Sequence, residues 1–184
     1  MAFTIRLIAS WALLVLGCGS GVDADERILE GTLWVDHEFS HEHRELIAAA
    51  VNMWSEATGG AFAPAIAVGQ VSCGQAFAIK AVHSSGCRVG QVVDHAARDG
   101  RGEQRVLGAV DAERHSVTVV SWLSGAAFRN NVAHELGHYM LIGHGDGIMA
   151  QAREHEPPRV TALNLSEFCA VWGCAPSGRP SAAD

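Results

Sequence analysis

The stretch NVAHELGHYMLIGHGDGIMA, residues 131–150, decides which fold this chain can adopt. It contains an H-E-x-x-H pattern formed by His134, Glu135 and His138. Residues four apart share one face of a helix, so two imidazoles so spaced can bind one metal ion. The intervening glutamate can then reach a water molecule on that ion. Apolar residues at steps of four predict a helix over residues 127–140 that supplies this geometry.

A second copy of the pattern occurs earlier, at His37, Glu38 and His41. The residues before it are β-prone, and the helical periodicity begins only at Ser40 or His41. His37 and His41 should therefore lie on either side of a helix entry and not on one helix face. We interpret this copy as the solvated polar start of a helix that continues to Gly59-Gly60, and not as a metal site.

The later copy continues into His144 and Met149. The stretch HELGHYMLIGH…GIM resembles the metzincin zinc peptidases, and among them the matrixin-like group, whose pattern is H-E-x-x-H-x-x-G-x-x-H followed by a methionine turn. The resemblance covers roughly residues 27–172, but its specificity rests on residues 134–149. It implies an α+β, zincin-like fold: a mixed twisted sheet, an active-site helix and a small C-terminal subdomain with one helix.

The same resemblance implies a role for each matching residue. His134, His138 and His144 would be the ligands of one catalytic Zn²⁺, and Met149 would lie beneath the metal in the methionine turn. Glu135 would act as general base on a zinc-bound water. The implied activity is that of a zinc-dependent endopeptidase on protein or peptide substrates, with the substrate extended along an edge strand near residues 116–122.

One position departs from the family pattern. Leu141 stands where the family has glycine, and a glycine follows at Gly143. A helix continued from His134 to His144 would rise about 15 Å, so the chain must break after Met140. Glycine tolerates the positive φ of such a break, whereas a leucine there costs roughly 1–2 kcal/mol. Either the chain breaks at Leu141, or the helix runs on and turns at Gly143.

This departure leaves alternatives for the site and the function. Asp146 is the substitute third ligand, and a distant glutamate (Glu154, Glu156 or Glu167) is the candidate if the site follows the other zincin pattern. The alternative function is a catalytically inactive, zincin-fold envelope lipoprotein that binds a partner protein or holds zinc.

Residues 1–18 predict export. Arg6 precedes an apolar run at residues 7–16 that is too short to span a bilayer as a mature helix. The run ends in V-L-G-C, which resembles the lipobox of bacterial lipoproteins and makes Cys18 the lipidated N-terminus. Cleavage of an ordinary signal peptide after Ala24 is the alternative. We expect an envelope protein anchored to a membrane by lipid, more readily the outer membrane or cell surface than the inner membrane because Gly19 follows, or otherwise a secreted one.

Export places the other cysteines in an oxidising compartment, where they favour disulfides over a thiolate metal site. Pairing between sequence neighbours gives Cys73–Cys87 and Cys169–Cys174, one of three possible connectivities.

Composition sets the remaining expectations. The chain has 184 residues, 48% hydrophobic and 18% charged, which fits one globular domain. A net charge of -7 argues against nucleic acid as a partner. We expect a monomer.

We predict a tether over residues 19–26, a catalytic domain over 27–174 and a disordered tail over 175–184. Further predictions are strands over 76–82 and 88–93, a hairpin joining 105–110 to 116–122, and a last helix over 163–172.

Overall fold

The computed structural model describes residues 28–72, 74–81, 96–98, 104–150 and 159–174. They form an α+β fold with a five-stranded mixed sheet and three helices, which confirms the α+β class and the mixed sheet that we predicted. Several predicted features lie outside the described residues: Cys18, Cys73, Cys87, the tether, the tail and the strand over 88–93.

The five-stranded sheet has the order β2-β1-β3-β7-β6. Its first four strands run parallel, and β6 is antiparallel to β7. A separate antiparallel pair is formed by β4 and β5. The strands are β1 (Thr32–Asp36), β2 (Ala65–Gly69), β3 (Ala78–Ala81), β4 (Ala96–Arg98), β5 (Gln104–Val106), β6 (Gly108–Asp111) and β7 (Ser116–Val119).

The predicted hairpin is confirmed as β6 and β7, but the edge strand was wrongly placed. We expected an edge near residues 116–122, whereas β7 lies inside the sheet between β3 and β6. The strand at this edge of the sheet is instead β6, which pairs with β7. The pairing of β7 with β3 joins segments far apart in sequence, so a local hairpin pattern cannot reveal it.

Two helices pack against one face of this sheet. These are α1 (His41–Ala57) and α2 (Gly125–Tyr139), and they bury a common core with β1, β3 and β7. The entry of α1 lies where the sequence predicts it, because the Ser40 side chain accepts a hydrogen bond from the His43 amide. Trp54 of α1 is fully buried, and its indole N–H donates to the Ala133 carbonyl of α2 over 2.7 Å. This bond joins α1 to α2 at the residue that precedes His134.

The last helix is α3 (Ala162–Trp172), which begins at a capping box between Thr161 and Asn164. A disulfide joins Cys169 to Cys174 across its C-terminal end, as predicted from their proximity in sequence. Among the described residues, no helix is both long enough and apolar enough to cross a bilayer.

Candidate metal centre

The chain breaks at Leu141, the first of the two alternatives. Leu141 has φ +64°, whereas Gly143 is outside the positive-φ region. The amide of Leu141 donates to His138 O, and that of Ile142 donates back to Gly137 O over 2.9 Å. These two bonds form a Schellman-type helix end with leucine in the left-handed position that glycine normally occupies. The turn reverses the chain so that His144 returns toward α2.

The three predicted histidines come together at this point. His134 Nε2 lies 2.9 Å from His138 Nε2, which lies 3.1 Å from His144 Nε2. They are the group of side chains among the described residues that could hold a metal ion, with one ligand atom each within 4.8 Å of the others. His134 is buried, while His138 and His144 are partly exposed, so the cluster lies at the surface end of the core.

Backbone carbonyls orient two of these rings. His134 Nδ1 lies 2.7 Å from Ile148 O, and His138 Nδ1 lies 2.8 Å from Ile142 O. A carbonyl can only accept, so each Nδ1 carries a proton and, in the neutral ring, each Nε2 presents a lone pair. Such lone pairs converging within about 3 Å repel one another unless a cation lies between them. The donor set therefore fits a divalent metal ion.

The substitute ligands lie elsewhere. The Asp146 carboxylate accepts a hydrogen bond from Thr161 Oγ1 over 2.5 Å, which ties the loop after His144 to the start of α3. Glu167 of α3 is outside the histidine cluster. Glu154 and Glu156 lie outside the described residues. His144 is thus the third member of the cluster.

The earlier H-E-x-x-H copy has a different geometry. His37 precedes α1 and lies 3.3 Å from Asp36, whereas His41 is 83% exposed and faces Glu45 one turn along the helix. No metal-ligand group forms there among the described residues. The copy straddles the helix entry, as its sequence context predicts.

Glu135 is fully buried on α2, against β6. The contact depends on Gly108, because a Cβ at that position would lie 2.5 Å from Glu135 Oε1 and 2.7 Å from its Cγ. The role of Gly108 was not predicted from the sequence. The available signal was an isolated glycine inside a strand pattern, which marks close approach of another group to the backbone.

Met149 packs against α2 at Gly137. It ends a 3₁₀ turn (Gly147–Met149) and is completely buried. Gly137, between the two α2 histidines, leaves the space for it: a Cβ there would overlap the Met149 sulfur and lie 2.8 Å from its Cε. The same turn supplies Ile148 O to His134, so it supports one ring directly.

Two further contacts were also missed from sequence. Trp54 donates to Ala133 O, before His134, and Trp172 of α3 donates to Met140 O, after His138. The residues around a tryptophan in the sequence do not indicate which distant carbonyl its indole N–H will reach.

Tyr139 lies in the core, where burial raises the pKa of its phenol above the ordinary value and keeps it neutral.

No known family model and no curated protein sequence matches this chain.

Proposed function

We propose that this protein is a zinc-dependent endopeptidase with a zincin-like fold. The observation that carries the proposal is the convergence of three imidazole Nε2 atoms, from His134, His138 and His144. The residue that follows His134 on the same helix is Glu135, whose side chain is buried. A metal store requires only the three ligands. The carboxylate of Glu135, the next residue after His134, adds a group that can accept and return a proton, as peptide hydrolysis requires.

When bound, zinc supplies a Lewis acid that acidifies water and polarises a carbonyl oxygen. Glu135 takes the proton of the attacking water and returns it to the amine that leaves. Glu135 is fully buried with its carboxylate against Gly108, which limits the positions open to that carboxylate. Ile142 O and Ile148 O keep the protons of His138 and His134 on Nδ1, so that both rings offer Nε2 to the metal.

The peptide substrate is best accommodated beside β6. This strand ends the five-stranded sheet, and its first residue, Gly108, lies against Glu135. An extended peptide that pairs with β6 would place a carbonyl near both Glu135 and the histidines. This arrangement replaces the position near residues 116–122 that we expected from the sequence.

The proposed setting is the cell envelope. The lipobox-like residues ending at Cys18 would attach the chain to a membrane by lipid, and the disulfide between Cys169 and Cys174 is consistent with an oxidising compartment.

The test is cleavage of an unfolded protein by the purified chain, compared with Glu135→Gln and with Glu167→Gln as a matched control on α3. We expect one zinc per chain and activity that a chelator removes and zinc restores. Glu135→Gln should lose at least about a hundredfold in kcat/KM with zinc retained, and Glu167→Gln should be near wild type.

Two results would overturn the proposal. Equal inactivity of wild type and Glu135→Gln, each with one bound zinc, would identify a scaffold that binds a partner protein. Several exchangeable zinc ions per chain would identify a zinc-holding protein.

A further inference from the structure

We propose that Trp172 is a positioning residue for the metal centre, and that the Cys169–Cys174 disulfide holds it in place. The inference rests on the proposed metal site, and it concerns how the chain maintains that site with leucine at the break of the helix.

This turn performs two tasks for the site. It reverses the chain after Met140 so that His144 reaches the other two rings, and it presents Ile142 O to His138 Nδ1. Both depend on Leu141 remaining at φ +64°, a conformation that β-carbon sterics disfavour for a leucine. Leu141 is 47% exposed, so burial of its own side chain does little to hold it there. The surroundings must stabilise the turn.

Trp172 contacts the turn at its origin. Its indole N–H donates to Met140 O over 2.8 Å, and Met140 is the fully buried C-cap of α2. The last carbonyls of a helix have no partner within the helix, so a side-chain donor at this position satisfies a buried acceptor. The bond thereby fixes the peptide plane between Met140 and Leu141, directly before the strained residue.

The disulfide fixes the donor. Cys169 and Cys174 lie on either side of Trp172, and both pack against the core. Gly173 ends α3 with φ +69°, and its amide donates to Cys169 O over 3.0 Å. The cross-link ties the final turn of α3 to the residue that follows it and limits the positions open to the indole. The path from disulfide to metal centre thus runs through Trp172 and Met140 to the turn that carries Ile142 and His144.

The experiment measures zinc affinity by competition with a chromophoric chelator, independently of peptidase activity. Trp172→Phe retains an aromatic ring and removes the N–H donor. Cys169→Ser with Cys174→Ser opens the loop without leaving thiols that could themselves bind zinc. Trp122→Phe is the matched control, because Trp122 is 52% exposed. We expect zinc affinity to fall about tenfold in the first two proteins and to be unchanged in the third.

A second arm tests the route of the effect. Leu141→Gly removes the strain, so the loss caused by Trp172→Phe should be clearly smaller in the Leu141→Gly background than in wild type. Should Trp172→Phe fail to fold by circular dichroism, the cysteine pair tested in both backgrounds addresses the same step. Wild-type affinity in either altered protein, or an equal loss in both backgrounds, overturns the inference. Absence of zinc binding by the wild type would instead defeat the proposed function.

Discussion

Gly108 of β6 and Glu135 of α2 approach so closely that no other residue fits at position 108 with the carboxylate in place. A Cβ added to Gly108 would lie 2.5 Å from Glu135 Oε1 and 2.6 Å from its Cδ. The candidate general base is thus held by the backbone of the edge strand as well as by its own helix.

We predict that Gly108→Ala displaces Glu135 and lowers peptidase activity strongly, with zinc still bound. The reason is that the new methyl group occupies the carboxylate's position, while the three histidines are untouched. The assay pairs kcat/KM with zinc stoichiometry, and Gly143→Ala serves as control because nothing lies within 4 Å of a Cβ there. Full activity in Gly108→Ala would show that the orientation of Glu135 is unimportant.

Leu141 and Leu163 form a matched pair for testing backbone strain, since each is 47% exposed. Leu141→Gly should raise the free energy of unfolding by about 0.5–1 kcal/mol, because relief of the positive φ outweighs the added freedom of glycine in the unfolded chain. Leu163→Gly, in the first turn of α3, should lower it by up to about 1 kcal/mol. Urea unfolding of both variants checks the opposite signs. Destabilisation by both would mean that Leu141 is not strained.

Gly137→Ala should destabilise the protein although alanine favours helices. Its methyl group would overlap the Met149 sulfur and lie 3.1 Å from the Trp54 ring. Overpacking of this kind costs about 1–3 kcal/mol, which exceeds the gain of about 1 kcal/mol in helix propensity. Gly74→Ala, with open space around the new Cβ, is the control in the same unfolding assay. An increase in stability would place Met149 away from the helix.

The histidines of the two H-E-x-x-H copies should differ in their response to zinc. Zinc at a hundred times its Kd should stabilise the wild type by about 2.7 kcal/mol and raise its Tm, because it binds only the folded site. His144→Ala should abolish this shift. His41→Ala, which alters an 83% exposed side chain, should retain it. A reduced shift in His41→Ala would assign a metal to the earlier copy.

Lys80, the only lysine in the chain, gives a prediction for alkaline pH. It is buried and donates to Ser116 Oγ; burial lowers the pKa of its amine, an effect that Asp111 partly opposes. Because the unfolded chain then binds the proton more tightly, folding stability should rise with pH up to about 10.5, the ordinary lysine value. The slope between pH 8 and 10 should be smaller in Lys80→Met, as measured by urea unfolding. Identical slopes would contradict a lowered pKa.

The sequence alone determined the parts of this protein that depend on local periodicity and spacing. The four-residue interval between His134 and His138 requires a helix for both rings to share a face, and the start of α1 at Ser40 excludes the earlier copy from that geometry. The hairpin of β6 and β7 and the neighbouring cysteines at 169 and 174 are likewise local features, and both were predicted.

Only the tertiary structure decided the features that join distant segments. The pairing of β7 with β3 leaves β6 at the sheet edge, and Gly108 meets Glu135 because β6 packs against α2. The helix ends at Leu141 and not at Gly143. Two hydrogen bonds stabilise this end: the Ile142 amide donates to Gly137 O, and the Trp172 indole donates to Met140 O. Intrinsic backbone preference alone favours a glycine for positive φ. Leucine occupies that conformation because contacts from α3 and the helix end outweigh a local cost of about 1–2 kcal/mol.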